Sequence, residues 1–91
     1  MIGAVMWLLA INPTSGRGNG AKVGQQVSNF LSERKIEYKV ITGANAISLQ
    51  ENLRKAASSA TGLIAVGGDG LLHMAIQIAA ISNIPLATIP A

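Results

Sequence analysis

Cysteine is absent from the 91 residues, and the aromatic residues are one Trp, one Tyr and one Phe. Without cysteine there can be no disulfide and no thiolate zinc site, which suits a cytoplasmic chain. Aromatics at 3% leave no platform for stacking bases. The basic residues (Arg17, Lys22, Arg34, Lys35, Lys39, Arg54, Lys55) are scattered and form no block, so the net charge of +3 makes no case for nucleic acid. Charged residues are 12% of the chain, few for a free-standing domain, while hydrophobic residues at 49% exclude a disordered one. Part of the apolar surface is therefore expected to lie against something else. The N-terminal run Ile2 to Ile11 is only half of the roughly 20 residues that a membrane helix needs. It has no charged leader and no cleavage site, and reads as a buried strand.

What is there is a regular alternation of apolar strands and amphipathic helices. Ala4 to Ile11 is a continuous apolar run, expected to be a central strand. A polar, glycine-rich loop, Asn12 to Gly20, separates it from a helix over about 21–34 whose stripe is Val23, Val27, Phe30 and Leu31. Residues 36–42 alternate as a strand near an edge. The next helix covers about 46–60 with Leu49, Leu53, Ala56, Ala57 and Ala60 facing inward. A short apolar strand at 62–66, a helix at 71–81 and a strand at 85–89 complete the chain. That order, with short connections and no internal repeat or linker, predicts one α/β domain. Its expected architecture is an open, four-stranded parallel sheet, Rossmann-like, with helices on both faces.

The stretch with the most chemical content is Ala65-Val66-Gly67-Gly68-Asp69-Gly70. A buried strand runs there into a glycine turn with one carboxylate, followed by a helix whose first N–H groups point back at the turn. Such an edge is where ligands of open α/β sheets bind, and free N–H groups there suit phosphate. Asp69 is negative where an anion would dock, so it must cap the helix, hold a metal ion or accept a proton. Past the turn, His73 and Gln77 are four apart and share one helix face. A lone His on an apolar helix is more often structural than catalytic.

The loop after the first strand lies on the same sheet edge. It offers the hydroxyls of Thr14 and Ser15, glycines, and the cations Arg17 and Lys22, which are the parts of a phosphate cradle. It is not a Walker A loop, since Ala21 and Val23 stand where that pattern needs Gly and Ser or Thr. A dinucleotide fingerprint is met only loosely, and Thr42-Gly43 supplies no acid for a ribose.

Taken together, the two loops resemble those of lipid kinases of the diacylglycerol kinase, sphingosine kinase and ceramide kinase type. Asn12-Pro13-Thr14-Ser15-Gly16 is similar to the family's first nucleotide-binding loop, and Thr42 falls where it has a nucleotide-contacting Thr. Gly67-Gly68-Asp69-Gly70 is similar to its central signature, with Leu71-Leu72-His73 looking like the sphingosine kinase branch and some bacterial diacylglycerol kinases. The resemblance spans nearly the whole chain. It implies ATP and Mg²⁺ as cofactors, nucleotide contacts from Asn12, Pro13, Thr14, Ser15, Gly16, Thr42, Gly67, Gly68, Asp69, Gly70 and Leu71, and a catalytic Asp69 acting as base or through the metal. It also implies transfer of the γ-phosphoryl group to a lipid hydroxyl at a membrane surface, by a protein otherwise cytoplasmic. The family continues into a Gly-Thr-x-Asn-Asp stretch and a β-sandwich that binds lipid. Residues 1–91 therefore resemble the nucleotide-binding domain alone, expected to be inactive by itself and to self-associate through uncovered apolar surface. Two other readings stay open, a fragment of an NAD kinase-like enzyme and a non-catalytic nucleotide-binding module.

Overall fold

A computed structural model describes residues 6–12 and 15–91, without the side chains of 15–17. Seven elements follow one another as β1 (Trp7–Ile11), α1 (Ser15–Glu33), β2 (Tyr38–Ile41), α2 (Ala46–Ala57), β3 (Gly62–Gly67), α3 (Asp69–Ser82) and β4 (Leu86–Pro90). The strands form one sheet in the order β2-β1-β3-β4, and every pairing is parallel. The α/β fold with an open parallel sheet is thus the one its alternation of patterns predicts.

Side-chain alternation along the strands sorts the core into two layers. Leu8, Ala10, Leu63 and Ala65 face α2 and α3, where they meet Leu49, Leu53, Ala57, Leu71, Ala75, Ile78 and Ala79. Leu9, Ile64 and Val66 face α1 and pack with Leu31, Val23 and Val27. Two helices therefore cover one face and α1 covers the other. All six residues of β3 are buried, the central position that a continuous apolar run requires. β2 is an outer strand, as its polar alternation suggests.

Helix ends are closed by local chemistry. Asn45 Oδ1 accepts from the Ser48 N–H at 2.9 Å while the Asn45 N–H donates to Ser48 Oγ at 3.1 Å, a reciprocal cap that fixes the start of α2. Asn83 takes the left-handed conformation (φ 56, ψ 47) and ends α3, and the Ile84 N–H then bonds Ala79 O at 3.1 Å.

Two expectations are corrected. The polar stretch up to Gly20 is helical from Ser15 onward, so the loop after β1 is far shorter than its composition suggests. Glycine's poor helix propensity is a weak prior that packing overrides. Here Gly24 lets α1 lie directly on β1, since a Cβ there would come within 3.1 Å of Ile11 Cγ1. Phe30 is not part of the buried stripe but 49% exposed, with the Arg34 guanidinium 3.8 Å from its ring centroid. A cation–π contact of this kind holds an aromatic ring at the surface. The first strand begins in the described residues at Trp7; Ala4 and Val5 lie outside them.

Leu53 of α2 has no exposed surface and sits in the core layer shared with β1, β3 and α3. Leu53→Ala is expected to cost about 2–5 kcal/mol, a large share of the roughly 5–13 kcal/mol that a domain this size has. Ile81→Ala, at a position 80% exposed, should stay within about 0.5 kcal/mol. Urea unfolding followed by far-UV circular dichroism measures both.

Candidate nucleotide-binding site

The sheet order places the site. From β1 the chain crosses to β2 on one side, and from β3 it crosses to β4 on the other. The carboxyl ends of β1 and β3 are neighbours, with Ile11 paired to Val66, and connections leave them in opposite directions. That divergence opens a crevice at the strand ends. A cleft of about 500 Å³ lies there, lined by Ile11 and Asn12 after β1, by 43–46 with Leu49 after β2, and by Gly70, Leu71 and Met74 of α3.

Asn12 is held at the centre of this edge. Its N–H donates to Val66 O at 3.2 Å, continuing the sheet one residue beyond β1. Gly67 closes β3 beside it: a Cβ on Gly67 would lie 2.8 Å from Leu71 Cδ2 and 3.5 Å from Asn12 Cβ. The two loops therefore meet as closely as glycine allows. From here α3 starts abruptly. Gly68 is its N-cap, with extended backbone (φ −87, ψ −173) and no side chain to accept from the first turn. The first intrahelical bond is Leu72 N–H to Gly68 O at 3.0 Å, so among the described residues nothing accepts from the N–H groups of Asp69, Gly70 and Leu71. Free N–H groups and the positive end of a helix dipole are the features that favour an anion at a helix start.

Asp69 is the first residue of α3, not its cap, and is exposed. One of its three sequence readings is thereby removed, because no side-chain capping bond is made here. Of the readings made from the sequence, those in which Asp69 meets a cation or a proton are compatible with this position.

The other expected residues fall as follows. Leu71 lines the cleft but is 5% exposed and part of the core, so a ligand would meet mainly its backbone. Ser15 and Gly16 open α1 at the same sheet edge, while Pro13 and Thr14 lie outside the described residues. Thr42 follows β2 and lines a separate, open cleft with Lys39, Asn52 and Lys55; its carbonyl accepts from Asn52 Nδ2 at 2.9 Å. The structure thus brings Asn12, Gly70 and Leu71 to one cavity and sets Thr42 on its neighbour. His73 and Gln77 do share a face, which is exposed, and their side chains meet at 3.3 Å.

Sequence reasoning missed one wall, formed by 43–46 and Leu49. Gly43 is its key: a Cβ there would lie 2.7 Å from Leu49 Cα and 2.7 Å from Ser48 Oγ. Only a residue without a side chain lets the loop rest on the first turn of α2. The signal was present as a glycine two residues before an Asn N-cap, a pairing that marks a tight strand-to-helix turn.

The diacylglycerol kinase catalytic domain family matches residues 6–91. A diacylglycerol kinase of Mycobacterium tuberculosis is 35% identical over 81 residues, which are 88% of this chain and 26% of that protein. A ceramide kinase of Arabidopsis thaliana is 36% identical over 70 residues, 72% of this chain and 12% of that protein. The chain therefore spans about a quarter or less of the length of these relatives.

The cleft makes a stability prediction that separates two of its glycines. Gly43→Ala drives a methyl into backbone and should cost about 1–3 kcal/mol or more. Gly70→Ala meets nothing within 4 Å and removes glycine from a helix, so it should be neutral or stabilising by up to about 1 kcal/mol. Thermal melts of the two variants, compared with the parent chain, provide the check.

Proposed function

The chain belongs to the diacylglycerol kinase catalytic domain family, and from that membership we propose that residues 1–91 are the nucleotide-binding domain of a lipid kinase. Its reaction is transfer of the γ-phosphoryl group of ATP to a lipid hydroxyl. The observation that carries the proposal is the convergence of Asn12 with Gly70 and Leu71 of the first turn of α3 at one cleft, next to Asp69, the exposed first residue of that helix. The names of the relatives make diacylglycerol and ceramide the acceptors to try first. Among the described residues no helix is long and apolar enough to cross a membrane. We place the full-length protein at the membrane surface because a lipid acceptor resides there.

In this reading the N–H groups of Gly70 and Leu71, with Ser15 at the start of α1, position the phosphates. The adenosine end extends toward 43–46 and Thr42. Transfer forms a bond from the acceptor oxygen to the γ-phosphorus and breaks the bond to the β–γ bridging oxygen, releasing ADP. The acceptor's proton must leave, and Asp69 is the carboxylate placed to take it. Mg²⁺ bound with the nucleotide would neutralise charge between the β- and γ-phosphates. Such an ion needs only one or two protein carboxylates when phosphates complete its shell, and Asp69 fits that requirement.

Phosphoryl transfer also needs an acceptor held in line and a site closed to water. One sheet edge forms a single wall, and the relatives' additional length is where we locate the other. The 91 residues alone should therefore bind Mg·ATP weakly and phosphorylate neither diacylglycerol nor ceramide. Titration calorimetry and melting shifts test the binding; absence of both at millimolar nucleotide, in a folded sample, would refute the phosphate-site reading. Radiolabelled ATP with each lipid tests the transfer, and phosphorylated lipid above background would show that no second domain is needed.

Asp69→Asn provides a second test, made in a longer protein that shows activity. Turnover should drop by orders of magnitude while the melting temperature stays the same, because Asn cannot take the proton and is a poor cation ligand. An active Asn variant would remove Asp69 from the chemistry.

A further inference from the structure

The turn between β2 and α2 separates two clefts. Thr42 lines one of them, and Gly43 begins the wall of the other. The last residue of β2 in register with β1 is Ile41, so Thr42 is the first that the sheet does not hold. Beyond it the chain is fastened to the start of α2. The Leu49 N–H donates to Asn45 O at 3.0 Å, the Ser48 hydroxyl donates to the same oxygen at 3.1 Å, and Gly43 rests on Ser48 and Leu49. Thr42 is held from farther along the helix. Asn52, ten residues on, donates from Nδ2 to the Thr42 carbonyl at 2.9 Å.

Folding does not require this bond. Asn52 and Thr42 are both exposed, and water satisfies an exposed carbonyl nearly as well as an amide does. What the bond does is orient one peptide plane. The peptide is trans, and in a trans peptide C=O and N–H point in opposite directions. A Thr42 carbonyl held toward Asn52 therefore turns the Gly43 N–H away from it. Without the bond this unit would turn over easily, because the glycine after it accepts φ of either sign. Among the described residues nothing accepts from the Gly43 N–H.

We propose that Asn52 is a positioning residue for the nucleoside end of the nucleotide. By fixing the Thr42–Gly43 peptide it presents the Gly43 N–H to a hydrogen-bond acceptor of the base or ribose. The inference rests on the nucleotide-site reading given above and assigns one residue to the upkeep of that wall. Residues 42–46 carry no charge, which suits the neutral end of a nucleotide, while Gly70 and Leu71 at the start of α3 line the same cleft for its phosphates. Asn52 lines the other cleft, so it acts through the peptide that it holds.

The test is a titration of the isotope-labelled 91-residue chain with Mg·ATP and, separately, with inorganic tripolyphosphate, followed by backbone amide shifts. The parent is compared with Asn52→Leu, Asn52→Ala and Asn52→Gln. Leu and Ala remove the donor and favour helix, so the melting temperature is expected to hold; Gln keeps a carboxamide. In the parent, ATP should shift the amides of Gly43, Gly70 and Leu71, and tripolyphosphate only the last two. Losing the donor should weaken ATP by about fivefold to tenfold, since the competent turn is then populated only part of the time, and should leave tripolyphosphate unchanged. Asn52→Gln should recover part of the loss. ATP bound equally tightly by the folded Leu and Ala variants overturns the inference. An equal loss for both probes overturns it too, since that marks general loosening. So does unfolding of both variants, because the bond would then serve the fold itself. A parent whose Gly70 and Leu71 amides answer ATP while Gly43 does not overturns this inference alone and leaves the phosphate site standing. A parent that answers neither probe removes the nucleotide-site reading, and the role of Asn52 with it.

Discussion

The complete burial of β3 is the constraint on which the rest of this structure depends. Six consecutive residues with no polar side chain among them have to be covered on both faces, and covering them takes α1 on one side and α2 with α3 on the other. A strand so placed must have neighbours on both edges, which β1 and β4 provide. It can meet solvent only where it ends. Its carboxyl end is therefore where chemistry can surface, and there the chain turns at Gly67 and Gly68 into an uncapped helix with Asp69 in front. The cleft is a consequence of sheet order before it is a property of any one side chain.

Much of this was legible in the sequence because burial writes strong patterns. The apolar runs of β1 and β3, the alternation in β2 and the inward positions Leu49, Leu53 and Ala57 each follow from periodicity alone. The change of direction after β3 was legible for the same reason, although it is tighter than the sequence suggests, since only Gly68 separates β3 from α3. What was not legible depended on contacts between distant residues. The glycines of α1 look like a loop until Gly24 is seen against Ile11, and Phe30 looks like core until Arg34 is seen over its ring. The wall at 43–46 was missed because its requirement comes from the backbone of Leu49, and no local pattern announces that. Thr42, one residue earlier, belongs to the adjoining cleft because Asn52 ties its carbonyl down toward α2.

Charge is distributed unevenly along the chain. The β2 edge carries lysines, and the β4 edge carries none. The cleft between the two lies where the charged part of the chain ends, with Asp69 the last charged residue before an uncharged helix. One exposed carboxylate beside a helix start whose first N–H groups have no acceptor among the described residues is a sparse candidate site. In such a site geometry matters more than the number of groups, which is why glycines at strand ends carry so much of its definition.

The pairing of β1 with β3 has a consequence for how the chain reaches this state. The Met6 N–H is bonded to Thr61 Oγ1 across 55 positions, and Trp7 pairs with Gly62 at the same separation. Closing a loop of that length is entropically costly and must precede the contacts that reward it. While the chain is being synthesised, Leu8, Leu9 and Ala10 emerge well before the strand that will cover them. Until then only β2 is available to pair with β1, and a two-stranded parallel ribbon has little independent stability. The native order is therefore one that the ribosome delivers late. The interval before β3 appears is when this small, apolar chain has most need of a chaperone or of rapid collapse.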